Sequence, residues 1–261
     1  MKLKEVLSAL EQFAPLPLQE SWDNAGLQIG LTEADVSGAL LCLDVTERIV
    51  DEALSKGCNL IVSHHPLLFR GLKQISDTTD VQRVVWKTIC NGIAIISMHT
   101  NLDNAKEGVN YKIAEHLGLE DISFMSPKII NERECGSGVI GRLPQPMASD
   151  DFVLYVKKQM EAESAACNEL LHRPIQRIAI CGGAGDFLLP DAIAMGADAF
   201  ITGEMHYHQY FGYEQRIQIC VIGHYESEHF TTEIFQKVIS TTCPGLKTLI
   251  AETNTNPIYY L

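Results

Sequence analysis

Apolar residues recur at helical spacing at Leu3, Val6, Leu7, Leu10 and Phe13, and Pro15 with Pro17 closes that stretch. A turn-like Trp22-Asp23-Asn24-Ala25-Gly26 follows. The pattern then shifts to short, continuous apolar runs separated by amphipathic stretches. It predicts a strand over 39–43, a helix over 47–55 closed by Gly57, and a strand over 59–63. A helix over 81–90, a strand over 93–98 and a helix over 108–117 continue the rhythm. Buried runs alternating with helices predict βαβ units and a largely parallel sheet.

The character changes over 131–146, where a strand-like 137–143 precedes prolines and a helix over 152–161. A boundary is expected between residues 125 and 126, giving an N-terminal α/β lobe (1–125) and a C-terminal α/β lobe (126–261). The final helix, marked by Phe230, Ile234, Phe235 and Val238, is expected to pack back on the first lobe. Strands over 177–181 and 199–202 flank a helix over 190–195, so the second half repeats the first half's rhythm. The run from Gly57 to Ser63 resembles that from Gly196 to Thr202 in pattern. The expected fold is therefore α/β: two related lobes, mostly parallel sheets flanked by helices, and a composite site at the strand C-terminal ends.

The chain has 261 residues, enough to bury a substantial core without metal or disulfide support. Its 20 basic against 33 acidic residues give a net charge of −13, which opposes phosphate contacts and suits divalent cations. The reading is therefore no nucleic-acid partner. Met1-Lys2-Leu3-Lys4-Glu5 lacks the apolar stretch of an export signal, and no run reaches the length of a membrane span. A cytoplasmic location with no membrane partner is the expectation. None of the 8 cysteines forms a C-x-x-C pair, and Cys42 and Cys220, inside apolar runs, read as buried thiols.

Potential metal ligands stand where the apolar runs end. His64 and His65 follow the strand over 59–63, His99 and Asp103 follow that over 93–98, and His224 and Glu228 follow the run over 217–222. Adjacent residues on a strand point to opposite faces, so His64 and His65 can share a site only where the backbone turns, as Pro66 suggests. His224 and Glu228 share a face if a helix starts there. Two ions roughly 3.5–4 Å apart can clamp a substrate oxygen and lower the pKa of water, the division of labour in two-metal hydrolysis. Nitrogen and oxygen donors without thiolate suit zinc, manganese or iron. Gly182-Gly183-Ala184-Gly185 is open to two readings, an anion-binding loop or a tight turn; it lacks the third dinucleotide-motif glycine and the P-loop lysine. Trp22 reads as a packing anchor.

Ser63-His64-His65-Pro66, His99-Thr100-Asn101-Leu102-Asp103 and Gly223-His224-Tyr225-Glu226-Ser227-Glu228 together resemble the dinuclear-metal-centre family of GTP cyclohydrolase I type 2 homologues, relatives of the NGG-interacting factor. The segments 22–30 and Thr202-Gly203-Glu204-Met205-His206 also resemble family segments, so the likeness covers nearly the whole chain. It implies that His64, His65, Asp103, His224 and Glu228 ligate two divalent ions, with Glu228 as the bridge, in a ring-shaped homohexamer. His99 is read as orienting a ligand or acting in catalysis, and Glu204 and His206 as acid or base groups. The implied activity is divalent-metal-dependent hydrolysis of a small-molecule substrate, a nucleotide such as GTP or another phosphoester. The alternative is a metal-binding oligomeric adaptor or metal-handling protein without catalysis.

Overall fold

Four-residue apolar runs build the centre of the first sheet. In the computed structural model, which describes residues 1–261, β2 (Ala39–Cys42), β3 (Leu60–Ser63) and β4 (Ala94–Ser97) are parallel, adjacent and buried along their whole length. Burial on both faces explains why the sequence shows continuous apolar runs there and no alternation. The crossovers are α2 (Glu47–Ser55) and α3 (Asp80–Cys90), whose first turns are capped by the hydroxyls of Thr46 and Thr79. One face of the sheet, with Leu40, Ile61 and Ile95, packs on Ile49, Val50, Val84 and Val85 of these helices.

β1 (Gly26–Ile29) adds antiparallel to β4, and β11 (Thr248–Ile250) adds parallel to β2, giving a five-stranded order β1-β4-β3-β2-β11. α1 (Leu3–Phe13) and α9 (Thr231–Thr242) pack on each other, and α9 lies against β2 and β11. This compact unit consists of residues Met1–Leu102 and Thr231–Pro257, so the final helix belongs with the N-terminal residues.

The second unit comprises Asp103–Phe230 and Ile258–Leu261. Its six-stranded sheet has the order β5-β6-β8-β9-β10-β7, from β5 (Glu120–Ile130), β6 (Arg133–Met147), β7 (Ala166–Cys167), β8 (Ile175–Cys181), β9 (Ala199–Thr202) and β10 (Gln218–Val221). β8, β9 and β10 form its parallel core, while β5, β6 and β7 join antiparallel. The helices are α5 (Val109–His116), α6 (Ser149–Gln159), α7 (Leu189–Ala194) and α8 (His224–Glu228), and a short α4 (Thr100–Asp103) precedes them. The position between residues 125 and 126, expected as a lobe boundary, falls inside β5, which pairs with β6 along its length. Asn131 and Glu132, both with positive φ, make the tight turn of this hairpin.

The two sheets repeat one plan. In each, three adjacent parallel strands follow in chain order, and the strand that precedes them in sequence adds antiparallel to the third. Cys42, Ser63 and Ser97 share a register at the ends of the first set, as Cys181, Thr202 and Val221 do in the second. Beyond them the backbone departs from the ladder in the same way. The amides of His64 and His65 both bond the Leu43 carbonyl (3.1 and 3.0 Å), and those of Gly203 and Glu204 both bond the Gly183 carbonyl (2.9 Å each). The halves related in sequence pattern are thus related in topology.

Candidate metal centre

In the first unit, the turn after β3 brings two adjacent imidazoles to one side. The hydroxyls of Ser63 and Ser97 both donate to the His65 carbonyl (3.0 and 3.3 Å), which holds the bend immediately after the strand ends. The rings of His64 and His65 then lie 4.9 Å apart, and His99, from the end of β4, lies 5.2 and 5.4 Å from them. One ligand nitrogen of each falls within 4.8 Å of the others. His64 is fully buried, whereas His65 and His99 are partly exposed.

Each of these rings is anchored through Nδ1. His64 Nδ1 donates to the Met98 carbonyl (2.8 Å), His65 Nδ1 to Asp44 Oδ1 (2.7 Å), and His99 Nδ1 to Asp23 Oδ1 (2.8 Å). A carbonyl or carboxylate can only accept, so the proton sits on Nδ1 and Nε2 keeps the basic lone pair. Histidines that bind metals are oriented in this way. Asp44 is held in turn by the Thr255 hydroxyl (2.9 Å). Burial works against its charge, but hydrogen bonds from His65 and Thr255 hold its carboxyl below the ordinary range. Asp23 follows the same logic more strongly: burial opposes ionisation, yet His99 and Thr100 bring it down to about 2.

The second unit supplies a carboxylate-rich set. α8 begins at His224 after Gly223, and its first turn places His224 Nε2 3.0 Å from Glu228 Oε2. Carboxylate oxygens of Glu228 and Asp103 lie within 4.8 Å of each other. His224 Nδ1 donates to Glu204 Oε1 (2.8 Å), which gives this imidazole the same anchoring as the others. Burial and the nearby Asp103 and Glu228 carboxylates push the Cys181 thiol well up, so it stays protonated beside this charge. The Asp103 carbonyl accepts from the Asn110 amide (3.1 Å), and Asn110 accepts from the Gly182 amide (2.9 Å), tying Asp103 to the glycine turn.

That turn resolves the two readings of 182–185. The amides of Gly182, Gly183 and Gly185 are already bonded to Asn110, Ser227 and Thr202, so they are committed to the protein. Gly183 has φ +59°, and a Cβ there would collide with Glu228 Oε1. The glycine lets the Glu228 carboxylate lie directly on the backbone.

The remaining expected residues take different places. Glu204 is engaged with His224, while His206 is exposed on its loop with Nδ1 3.3 Å from Asp186. Trp22 is a correction: it is 59% exposed, because its ring packs sideways on Phe69 (5.9 Å) and on the edge of His99 (6.0 Å). It opens onto a cavity of about 720 Å³ lined also by Asp23, Asn24, Gln28 and Leu72. Asn24 and Gln28 both bond Leu68, fixing this wall. Asp23, Asp44 and Asn110 were missed as orienting residues; Asp44 follows an apolar run, the same signal that marked the histidines.

The donor chemistry fits divalent ions: His64, His65 and His99 with Nε2 basic, His224 set against the Glu228 carboxylate, and a glycine on which that carboxylate lies. The profile of the Duf34/NIF3 (NGG1p interacting factor 3) family matches residues 1–257. A "GTP cyclohydrolase 1 type 2 homolog" of Clostridium acetobutylicum is 31% identical over 262 residues, covering 98% of each chain. Its namesake in Clostridium perfringens is 35% identical over 229 residues, covering 87% of each. A Staphylococcus aureus crystal structure superposes with a TM-score of 0.91 at 27% identity, covering 100% of this chain and 99% of the other.

Proposed function

The chain belongs to the Duf34/NIF3 family, and from that premise we propose that it is a divalent-metal-dependent hydrolase with a dinuclear centre. The observation that carries this reading is the shared anchoring of His64, His65, His99 and His224, each with Nδ1 donating to an oxygen. His64, His65, Asp103, His224 and Glu228 are the residues that would hold the ions, and Glu228, beside both His224 and Asp103, is the one that would be shared between them. Divalent ions would supply Lewis acidity and lower the pKa of water at neutral pH.

The protein's own residues do the rest. Asp44 and Glu204 hold the protons of His65 and His224 on Nδ1, and Asp23 does so for His99. His206, on an exposed loop, is the proposed proton donor to the leaving group. The cavity beside Trp22 and Phe69 has the size of a small-molecule site, and its aromatic wall suits a planar ring such as a nucleobase. A nucleotide or phosphoester is the proposed substrate class, consistent with the name of the clostridial relatives. A homohexamer in the cytoplasm completes the proposal, resting on the resemblance of the motifs. No helix is long and apolar enough to cross a membrane.

The test is elemental analysis of tag-free protein, compared with the His65→Ala/Glu228→Ala variant, followed by turnover assays on nucleotides and phosphoesters. About two equivalents of metal in the parent, near none in the folded variant, and turnover lost on chelation and regained with metal are expected. No metal uptake from zinc, manganese or iron defeats the dinuclear centre. Metal without turnover on any of these substrates favours the adaptor reading instead.

A further inference from the structure

β7 and β10 bring together two cysteines that are far apart in the sequence. Cys167 and Cys220 are directly opposite in the antiparallel pair. Opposed residues in such a ladder have Cα atoms about 4.5 or 5.5 Å apart, and both values lie within the roughly 4.4–6.8 Å range that a disulfide spans. Directly opposed residues of an antiparallel pair put their side chains on the same face of the sheet, so the two thiols are neighbours.

The pairing is held by more than a two-residue strand. Asn168 donates to the Ile217 carbonyl (2.9 Å) and accepts from the Ile219 amide and the Gln218 side chain (2.9 Å each). This clamp fixes β7 on β10 beside the cysteines. Cys167 is partly exposed, whereas Cys220 is fully buried. The hydrogen bond from Cys220 outweighs burial and lowers the Cys167 thiol below its ordinary range. The same bond, with burial, raises Cys220. One thiol is therefore accessible and its neighbour lies buried directly opposite it, the arrangement of an attacking and a resolving cysteine.

We propose that Cys167 and Cys220 form a redox-active dithiol that hydrogen peroxide closes to a disulfide. The Cys167 thiolate attacks a peroxide oxygen; the S–O bond forms, the O–O bond breaks, and the departing oxygen leaves as water after taking a proton. Cys220 then attacks the sulfur of the resulting sulfenic acid. The S–S bond forms, the S–O bond breaks, and the Cys220 proton leaves with that oxygen as a second water. The two sulfurs lose two electrons in total and the peroxide gains them.

The bond would staple β7 to the strand that leads through Gly223 to His224. It would also cross-link a long loop of the unfolded chain, which raises stability.

The test uses full-length protein carrying Cys90→Ser, since Cys90 is the exposed cysteine. Seven of the 8 native cysteines then remain. Treatment with a few equivalents of hydrogen peroxide, followed by thiol titration in denaturant, is expected to remove two thiols reversibly by dithiothreitol. Peptide mapping should give one cross-linked pair containing Cys167 and Cys220, with the thermal midpoint raised by on the order of 5 °C. In the Cys220→Ser variant, dimedone should label Cys167 instead. Thiol loss without that cross-linked peptide, or no loss at tenfold excess peroxide, overturns the proposal.

Discussion

Asp44 Oδ1 accepts a 2.7 Å hydrogen bond from His65 Nδ1, and this contact fixes which nitrogen of His65 is basic. The pair sits at the ends of neighbouring strands, β2 and β3, so the sheet itself sets the distance. Its role can be tested without removing the imidazole. In Asp44→Asn the amide can turn its NH2 toward Nδ1 and favour the other tautomer. Metal affinity is expected to fall about 10–100-fold with the fold unchanged, measured by chelator competition alongside circular dichroism. Unaltered affinity would show that Asp44 does not orient His65.

The Gly183 turn makes a second prediction. Gly183→Ala places a methyl group at φ +59° against Glu228 Oε1. Denaturant unfolding should show a loss of more than about 1 kcal/mol, and metal content should drop with it because Glu228 is displaced. A variant as stable as the parent and equally loaded would mean that the turn relaxes freely.

Asp23 predicts a pH dependence. Its folded pKa of about 2 lies below the unfolded value of about 3.9. The stabilisation is therefore fully present above about pH 4 and is lost as pH falls toward 2, amounting to about 2 kcal/mol. In metal-free protein, Asp23→Asn should be less stable than the parent at pH 6, with the gap narrowing through that window in urea titrations. A gap independent of pH would place the effect in packing rather than charge.

Trp22 and Phe235 make a contrast. Trp22→Ala should change stability by no more than about 0.5 kcal/mol, because the indole is 59% exposed. Phe235→Ala, in the core between α9 and its neighbours, should cost about 3–5 kcal/mol. Urea midpoints of the two variants check both, and a Trp22 loss as large as that of Phe235 would return the indole to the role of packing anchor.

Legibility in the sequence followed burial. β2, β3, β4 and β9 are buried along their length and were readable as apolar runs, and the crossover helices α2 and α3 carried caps and periodicity. β5 was not readable, because most of its residues are exposed and no buried face imposes a period. Two-residue β7 and the short α4 were equally silent, being shorter than any periodic signal. At the site, the histidines were marked by their position after apolar runs. Asp23 could not be tied to His99, because a contact between distant turns leaves no spacing to read.

The sequence by itself determined the alternating α/β plan, its repetition in two halves, and the histidines and carboxylates that end the strands, since each is a local pattern of apolar period and punctuation. Tertiary structure alone decided which nitrogen of His64, His65 and His99 is basic, why Gly183 must lack a side chain, and that Cys167 faces Cys220. These depend on which strands become neighbours and in what register. Pairing of that kind is settled by packing across the sheet and is written in no single stretch of chain.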